Sequence, residues 1–390
     1  MKQFYFVLVL VFLMTSLSPF QVHAEGAENG APAIKSDAVI LLDANTGSIL
    51  YEKNSHAQMY PASLTKMATA IYAIEKGNLD DVVSVSANAY ETEGTRVYLK
   101  EGEQVTLKHL IQGLLINSGN DAGVAIAEHL DGSIESFADS LNQYLKEKIG
   151  VEQTHFTNPH GLYDENHYTT AYDLALITKY ALKNPVFREI FGTKELAWDG
   201  ESWDTTLFSH HLLLRGEIPY EGITGGKTGF VQESRYTLST SAEQGDLSLI
   251  AIVLKAERDE YAYEDTVALL DYGFENFEVA EVASSEKFYG EQNESYRLNK
   301  PLPYTQKKNE DVQLAMNDQG VLQVLGEDGR QLAAKQLKMD MPKEAMGTRA
   351  DIDPANLSKK NHLPAILMVI FLSMGVIFLQ KTIKNMKKST

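Results

Sequence analysis

Three short runs in this chain combine residue types that can carry acyl-transfer chemistry: Ser63-Leu64-Thr65-Lys66, Ser118-Gly119-Asn120 and Lys227-Thr228-Gly229. A serine hydroxyl is a weak nucleophile until a base stands within hydrogen-bond reach. Residues three apart on a helix share a face, so a helix beginning at Ser63 sets the Lys66 amine beside that hydroxyl. The same start aims the unpaired N–H groups of the first turn at a reacting carbonyl. A lysine in water has a pKa near ~10.4 and is charged at neutral pH. To act as a base, Lys66 must therefore be desolvated or face another cation, and Lys227 can be that cation. Ser118 can relay a proton to a leaving amine, and Asn120 can hold either the substrate amide or the lysine. Lys227 and Thr228 can bind a substrate carboxylate or orient the acyl chain. Gly229 lets a substrate lie close along the backbone, and the N–H of Phe230 is a candidate second oxyanion donor.

Each run alone has an ordinary explanation. Ser63 and Lys66 read singly as a helix N-cap and a solvated lysine, and Ser118 and Asn120 as turn chemistry. All three runs in this order favour catalysis. Gly222 to Thr228 falls one residue short of the spacing of a phosphate-binding loop. The stretch His155, His160, Asp164, Glu165, His167 contains no H-E-x-x-H and no helical i, i+4 repeat. It reads as a loop of hydrogen-bonded histidines, so neither metal nor cofactor is expected.

Several elements must position these runs. Ala38 to Leu42 and Ser48 to Tyr51 flank an Asn45-Thr46-Gly47 turn and predict a β-hairpin. Helix formers run from Ser63 to Lys76 and stop at Gly77, the expected C′ position. Helices follow over Leu107 to Asn117, Ala122 to Leu130, Ser136 to Ile149 and Thr170 to Leu182, with the polar break Ser118 to Asn120 between the first two. Strands are expected at Tyr236 to Ser241 and Leu247 to Leu254, then a helix from Asp259 to Tyr272. The expected class is α+β, an αβα arrangement in which an antiparallel sheet assembled from both ends of a domain is covered by helices, with a helical subdomain. After Phe277, short alternating stretches between Gly-containing turns predict a small all-β domain.

At 390 residues and 44% apolar, the chain is long enough for two folded units plus targeting segments. Lys2, the apolar run Phe4 to Leu13 and Val22-His23-Ala24 predict a signal peptide over 1–24. The apolar run from Leu363 to Leu379, followed by Lys381, Lys384, Lys387 and Lys388, predicts a transmembrane anchor over 363–380 and a basic cytoplasmic tail over 381–390. The expected organisation is a catalytic domain over 25–277, a β-rich domain over 278–341 and a polar stalk over 342–362. That places a single-pass protein in the cell membrane with its catalytic domain outside. The chain has no cysteine and a net charge of −18. It must stabilise itself by core size, and it is not built to coat nucleic acid.

On these motifs the chain resembles the low-molecular-mass penicillin-binding proteins, the serine D-alanyl-D-alanine carboxypeptidases of the DD-peptidase and β-lactamase superfamily. Tyr60-Pro61-Ala62-Ser63, Asn158 to Leu162 and His167 to Asp173 look like segments of the same family, and the resemblance spans Ala38 to Tyr272. It implies that Ser63 attacks the carbonyl of the penultimate D-Ala of a peptidoglycan stem pentapeptide, releases the terminal D-Ala and yields the acyl group to water. It also implies that penicillins and other β-lactams acylate Ser63. Relatives carry an arginine and an asparagine upstream of the Lys-Thr-Gly run that help bind the substrate carboxylate. Here that stretch reads Ser209 to Arg215, where Arg215 or His210 can substitute. The alternatives are a β-lactamase, in which Glu165 lies in the span of a deacylating glutamate, and a catalytically silent wall scaffold.

Overall fold

The computed structural model describes residues 30–339 apart from 285 and 291–293. The expected signal peptide, stalk, anchor and tail lie outside the described residues. Among the described residues, no helix is long and apolar enough to cross a membrane.

The apolar runs at the two ends of the catalytic region meet in one sheet. Strand β1 (Ala38–Asp43) pairs antiparallel with β2 (Ile49–Lys53) and, on its other side, with β9 (Leu247–Ala256). Strands β7 (Ile223–Val231) and β8 (Arg235–Gln244) complete the order β2-β1-β9-β8-β7, which leaves β7 at an edge. Alternate residues of β1 and β9 serve two cores. Ile40 and Ile252 face one set of helices, whereas Val39, Leu41 and Val253 face the opposite side. A sheet covered on both faces explains why these strands read as unbroken apolar runs rather than an alternation.

On the first face lie α1 (Thr65–Lys76), a short α2 (Ala87–Glu91), α3 (Leu107–Ile116), α4 (Asn120–Asp131), α5 (Ile134–Tyr144), α6 (Ala171–Ala181) and α7 (Pro185–Phe191). A four-residue turn of helix, α8 (Leu212–Arg215), precedes β7, and the long α9 (Asp259–Asn276) covers the second face. Side-chain caps start α3 at Thr106 and α6 at Thr170. Helix α5 runs on into a π-helical turn over Leu145–Ile149.

Two local readings change. The helix expected from Ser63 begins with a 3-10 turn over Ala62–Leu64, and α1 proper starts at Thr65. Gly77 ends α1 with extended backbone (φ −92°), not a left-handed cap. Its glycine is required by packing instead, because a Cβ there would meet Leu107 Cδ2 at 2.3 Å. Two antiparallel strand pairs have no counterpart in the expected elements: β3 (Val82–Ser84) with β4 (Gln104–Thr106), and the hairpin of β5 (Glu195–Asp199) with β6 (Asp204–Phe208). The second is held by Trp198, which is buried, stacks on His109 at 4.0 Å and fits against Gly113.

Among the described residues after α9, the regular elements are all strands: β10 (Phe277–Val282), β11 (Lys287–Tyr289), β12 (Ser295–Arg297), β13 (Leu302–Lys307), β14 (Gln313–Met316), β15 (Val321–Leu325), β16 (Gln331–Gln336) and β17 (Lys338–Met339). They enclose their own cluster, with Val282, Tyr296, Leu298, Tyr304, Leu322, Val324 and Leu337 buried. The β10–β13 pair is fastened to the catalytic sheet by Thr305, whose hydroxyl lies 2.5 Å from the buried Asp43 carboxylate and 2.6 Å from Thr46 Oγ1.

Candidate active site

The three runs converge between the start of α1, the α3–α4 break and the edge strand β7. Lys66 is fully buried, and its Nζ lies 2.8 Å from Ser63 Oγ and donates to the His160 carbonyl at 2.7 Å. Lys227 is also buried, and its Nζ donates to Ser118 Oγ at 3.1 Å and to the Thr228 carbonyl at 2.8 Å. Asn120 is buried, and its side-chain amide donates to the Glu93 carbonyl at 2.7 Å. A solvated lysine at position 66 is thus replaced by a dry one aimed at the hydroxyl.

Burial sets the electrostatics. Desolvation first, and the positive charge of Lys227 second, hold the Lys66 amine well below the ordinary lysine range, while Asp121 opposes them. Desolvation alone lowers Lys227 to about 7. Desolvation and the Lys227 charge both favour the neutral Lys66 amine, the form that can act as a base. When neutral, its Nζ accepts the Ser63 hydroxyl proton across the 2.8 Å contact.

The backbone around the pair is strained and pinned. Ala62 has φ +49° and Ser118 φ +62°, conformations that cost a non-glycine residue of order 1–3 kcal/mol. Thr237 Oγ1 donates to the Pro61 carbonyl at 3.0 Å, and Thr65 Oγ1 to the Ala62 carbonyl at 2.9 Å. Gly161, at φ +88°, packs so closely that a Cβ would lie 1.9 Å from the Ala62 oxygen. On β7, a Cβ at Gly229 would meet Thr237 Oγ1 at 2.5 Å and the Ser63 nitrogen at 2.8 Å. Gly229 thus lets the edge strand run against the backbone of Ser63. Thr228 is half-buried beside it, and Phe230 is exposed with its ring 4.7 Å from that of Tyr236.

Sequence reasoning overlooked several supports. Asp121, buried in the first turn of α4, accepts from the amides of Val97, Leu99 and Ala122. Burial raises its pKa against the pull of those three bonds. The only sequence signal was an acid directly after Asn120. His160 enters through its carbonyl, which no side-chain motif reports. Desolvation first, then proximity to Lys66 and His167, holds its ring well below the ordinary histidine range.

The histidine-rich loop is locally engaged. His155 Nδ1 meets the Asn166 carbonyl at 2.7 Å, His160 Nδ1 accepts from the Leu162 amide, and His167 bridges Thr65 Oγ1 and the Thr157 amide. Glu165 is exposed, and the charges acting on Lys66 are those of Lys227 and Asp121. Upstream of β7, Arg215 pairs with Glu217 at 2.6 Å and lies 5.4 Å over the Phe208 ring. His210 is exposed. His211 is buried beneath β7, 2.8 Å from Thr240 Oγ1, where a Cβ at Gly226 would strike its ring.

Comparisons with known proteins point to one family. The family model for the D-alanyl-D-alanine carboxypeptidases, peptidase family S11, matches residues 25–258. D-alanyl-D-alanine carboxypeptidase DacF of Bacillus subtilis is 34% identical over 281 residues, covering 70% of each chain. Among solved structures, penicillin binding protein 5 from Haemophilus influenzae superposes with a TM-score of 0.69 at 25% identity, over 79% of this chain and 97% of that one. Penicillin binding protein 6B from Escherichia coli gives 0.66 at 29% identity, over 78% and 96%.

Proposed function

The chain belongs to the D-alanyl-D-alanine carboxypeptidase family, and from that premise we infer that Ser63 is the nucleophile and Lys66 the base of a serine carboxypeptidase acting on peptidoglycan stem pentapeptides. The observation that carries this reading is the 2.8 Å contact between Ser63 Oγ and a fully buried Lys66 Nζ. Ser63 gives its proton to Lys66 as its oxygen attacks the carbonyl of the penultimate D-Ala. The negative charge formed on that carbonyl meets the N–H of Ser63 and, across Gly229, that of Phe230. The departing nitrogen takes a proton from the Ser118 hydroxyl, which Lys227 replenishes across 3.1 Å. Terminal D-Ala leaves, and Lys66 sheds the proton it took to solvent as Lys227 regains one. The neutral Lys66 then takes a proton from the attacking water and returns it to Ser63 Oγ as the shortened peptide departs.

Lys227 and Thr228 on the edge strand fit the substrate's terminal carboxylate, with the peptide lying along β7 as an added strand. Asn120 orients the substrate amide. Arg215 is the less suited of the two upstream candidates, since Glu217 already holds its guanidinium. A β-lactam presents the same carbonyl and carboxylate, so it acylates Ser63 in place of the peptide. We further assign residues 1–24 to a signal peptide, 278–341 to a separate β-rich domain and 363–380 to a membrane anchor, on the hydropathy of the sequence. Those assignments put the site outside the cell membrane, where its substrate is.

The test is D-Ala release from a peptide ending in D-Ala-D-Ala. The protein should liberate one D-Ala per peptide, and Ser63→Ala should lower the rate by about four orders of magnitude or more. Silence of the unmodified protein would leave a wall-binding scaffold as the reading.

A further inference from the structure

On the loop that leads into the candidate active site lies a cavity of about 530 Å³, lined by Tyr90, Arg96, Tyr98, Leu99, Ser202 and Trp203. Its walls come from two segments fastened together. The buried Glu103 carboxylate accepts from the Lys100 amide at 2.8 Å and from the Glu201 amide at 3.0 Å, and Lys100 Nζ pairs with Glu201 at 3.2 Å. The β5–β6 turn carrying Trp203 is thereby latched to the loop carrying Tyr98.

The same loop is continuous with the active site. Asn117 Nδ2 donates to the Arg96 carbonyl at 2.9 Å, and the Asn120 amide to the Thr95 carbonyl at 2.7 Å. A Cβ at Gly94 would lie 2.6 Å from Asn120 Nδ2. Asp121 clamps the amides of Val97 and Leu99, turning those two side chains inward and forcing Tyr98 outward at φ +56°. Such backbone is a true outlier for a bulky residue and is held only where its surroundings fix it.

The result is an exposed aromatic face with one cation over it. Tyr98 stands edge-on to Trp203 at 5.0 Å, and the Arg96 guanidinium lies 5.1 Å over the Tyr98 ring. Arg96 Nη1 donates to the Tyr90 carbonyl at 3.4 Å, and among the described residues the ion pairs do not include Arg96, which leaves its other donors for a ligand. A guanidinium with open donors beside apolar faces suits a carboxylate carried on a short methylene stem. We propose that this cavity is a subsite for the acidic part of the stem peptide, binding a carboxylate upstream of the scissile D-Ala-D-Ala bond through Arg96 while Tyr90, Tyr98 and Trp203 pack its methylenes. The proposal rests on the carboxypeptidase reading of Ser63.

The experiment compares D-Ala release from two pentapeptides that differ only in whether the carboxylates upstream of D-Ala-D-Ala are free or carboxamides. The unmodified protein should favour the free acid in kcat/KM by roughly fivefold, as one partly exposed charge pair allows. That preference should shrink as salt is raised. Arg96→Gln should bring the ratio to about one, and Arg96→Lys should keep part of it. A ratio near one in the unmodified protein, or an unchanged ratio in Arg96→Gln, would overturn the subsite. Because the unmodified protein's ratio and salt dependence decide by themselves, the test survives a variant that does not fold. Failure to release D-Ala from either peptide would instead sink the carboxypeptidase reading.

Discussion

At the residue scale, the proposed mechanism makes the two buried lysines govern when the site works. In it Lys66 must be neutral to take the serine proton, and Lys227 must be charged to hold a carboxylate. With Lys66 held well below the lysine range and Lys227 at about 7, kcat/KM of the free enzyme should rise as Lys66 deprotonates and fall as pH passes through about 7. The two limbs belong to the pair, since Lys227 is one cause of the Lys66 shift. Lys227→Gln should abolish the alkaline limb and move the acid limb upward, because removing a cation lets Lys66 keep its proton to higher pH. An unchanged profile in that variant would contradict the assignment. Ser63, Lys66, Ser118, Asn120 and Lys227 were all legible in the sequence because each shows its side-chain chemistry in a short run. Asp121 and the His160 carbonyl were not. Their roles come from where the backbone is carried, ninety-four residues from Lys66 in the case of His160.

At the element scale, close approach of backbones makes the site. Gly229→Ala would press β7 away from the Ser63 nitrogen, so kcat should fall by about 10²–10³, the scale of one lost oxyanion donor. Gly77→Ala tests the opposite case. Its Cβ would collide with Leu107, so it should cost about 1–3 kcal/mol of stability in chemical denaturation. If the two variants show each other's phenotypes, these packing arguments fail. The sheet and the main helices were readable because β1, β9, α1 and α3 are long apolar patterns. The β5–β6 hairpin was not, since Glu195 to Phe208 is polar except for the few residues that pack around Trp198. Its importance lies in a tertiary latch through Glu103 that no local pattern announces.

At the scale of the whole molecule, the β-strands after Phe277 hold to the catalytic sheet through a buried polar knot at Asp43, Thr46 and Thr305. Thr305→Val leaves the Asp43 carboxylate short of a partner and should cost about 1–3 kcal/mol in unfolding, with D-Ala release retained by the remaining fold. Loss of activity without loss of stability would contradict a purely structural role. Three histidines make the fold acid-sensitive. Burial holds His167 and His211 at about 3, and His160 is also held well below its ordinary value. As pH falls below the unfolded value of ~6.5, the unfolded chain binds protons that the folded chain refuses. Stability should then drop by about 1.4 kcal/mol per pH unit for each such histidine, and a flat urea midpoint between pH 7 and 5 would refute this. The predictions on activity depend on Ser63 being the one activated hydroxyl. The direct measurement is the mass of the protein after exposure to benzylpenicillin, followed by mapping of the labelled peptide. One adduct per chain, placed on Ser63 and absent in Ser63→Ala, is expected. An unlabelled protein, or an adduct on any other residue, would show that the buried Lys66 does not activate Ser63.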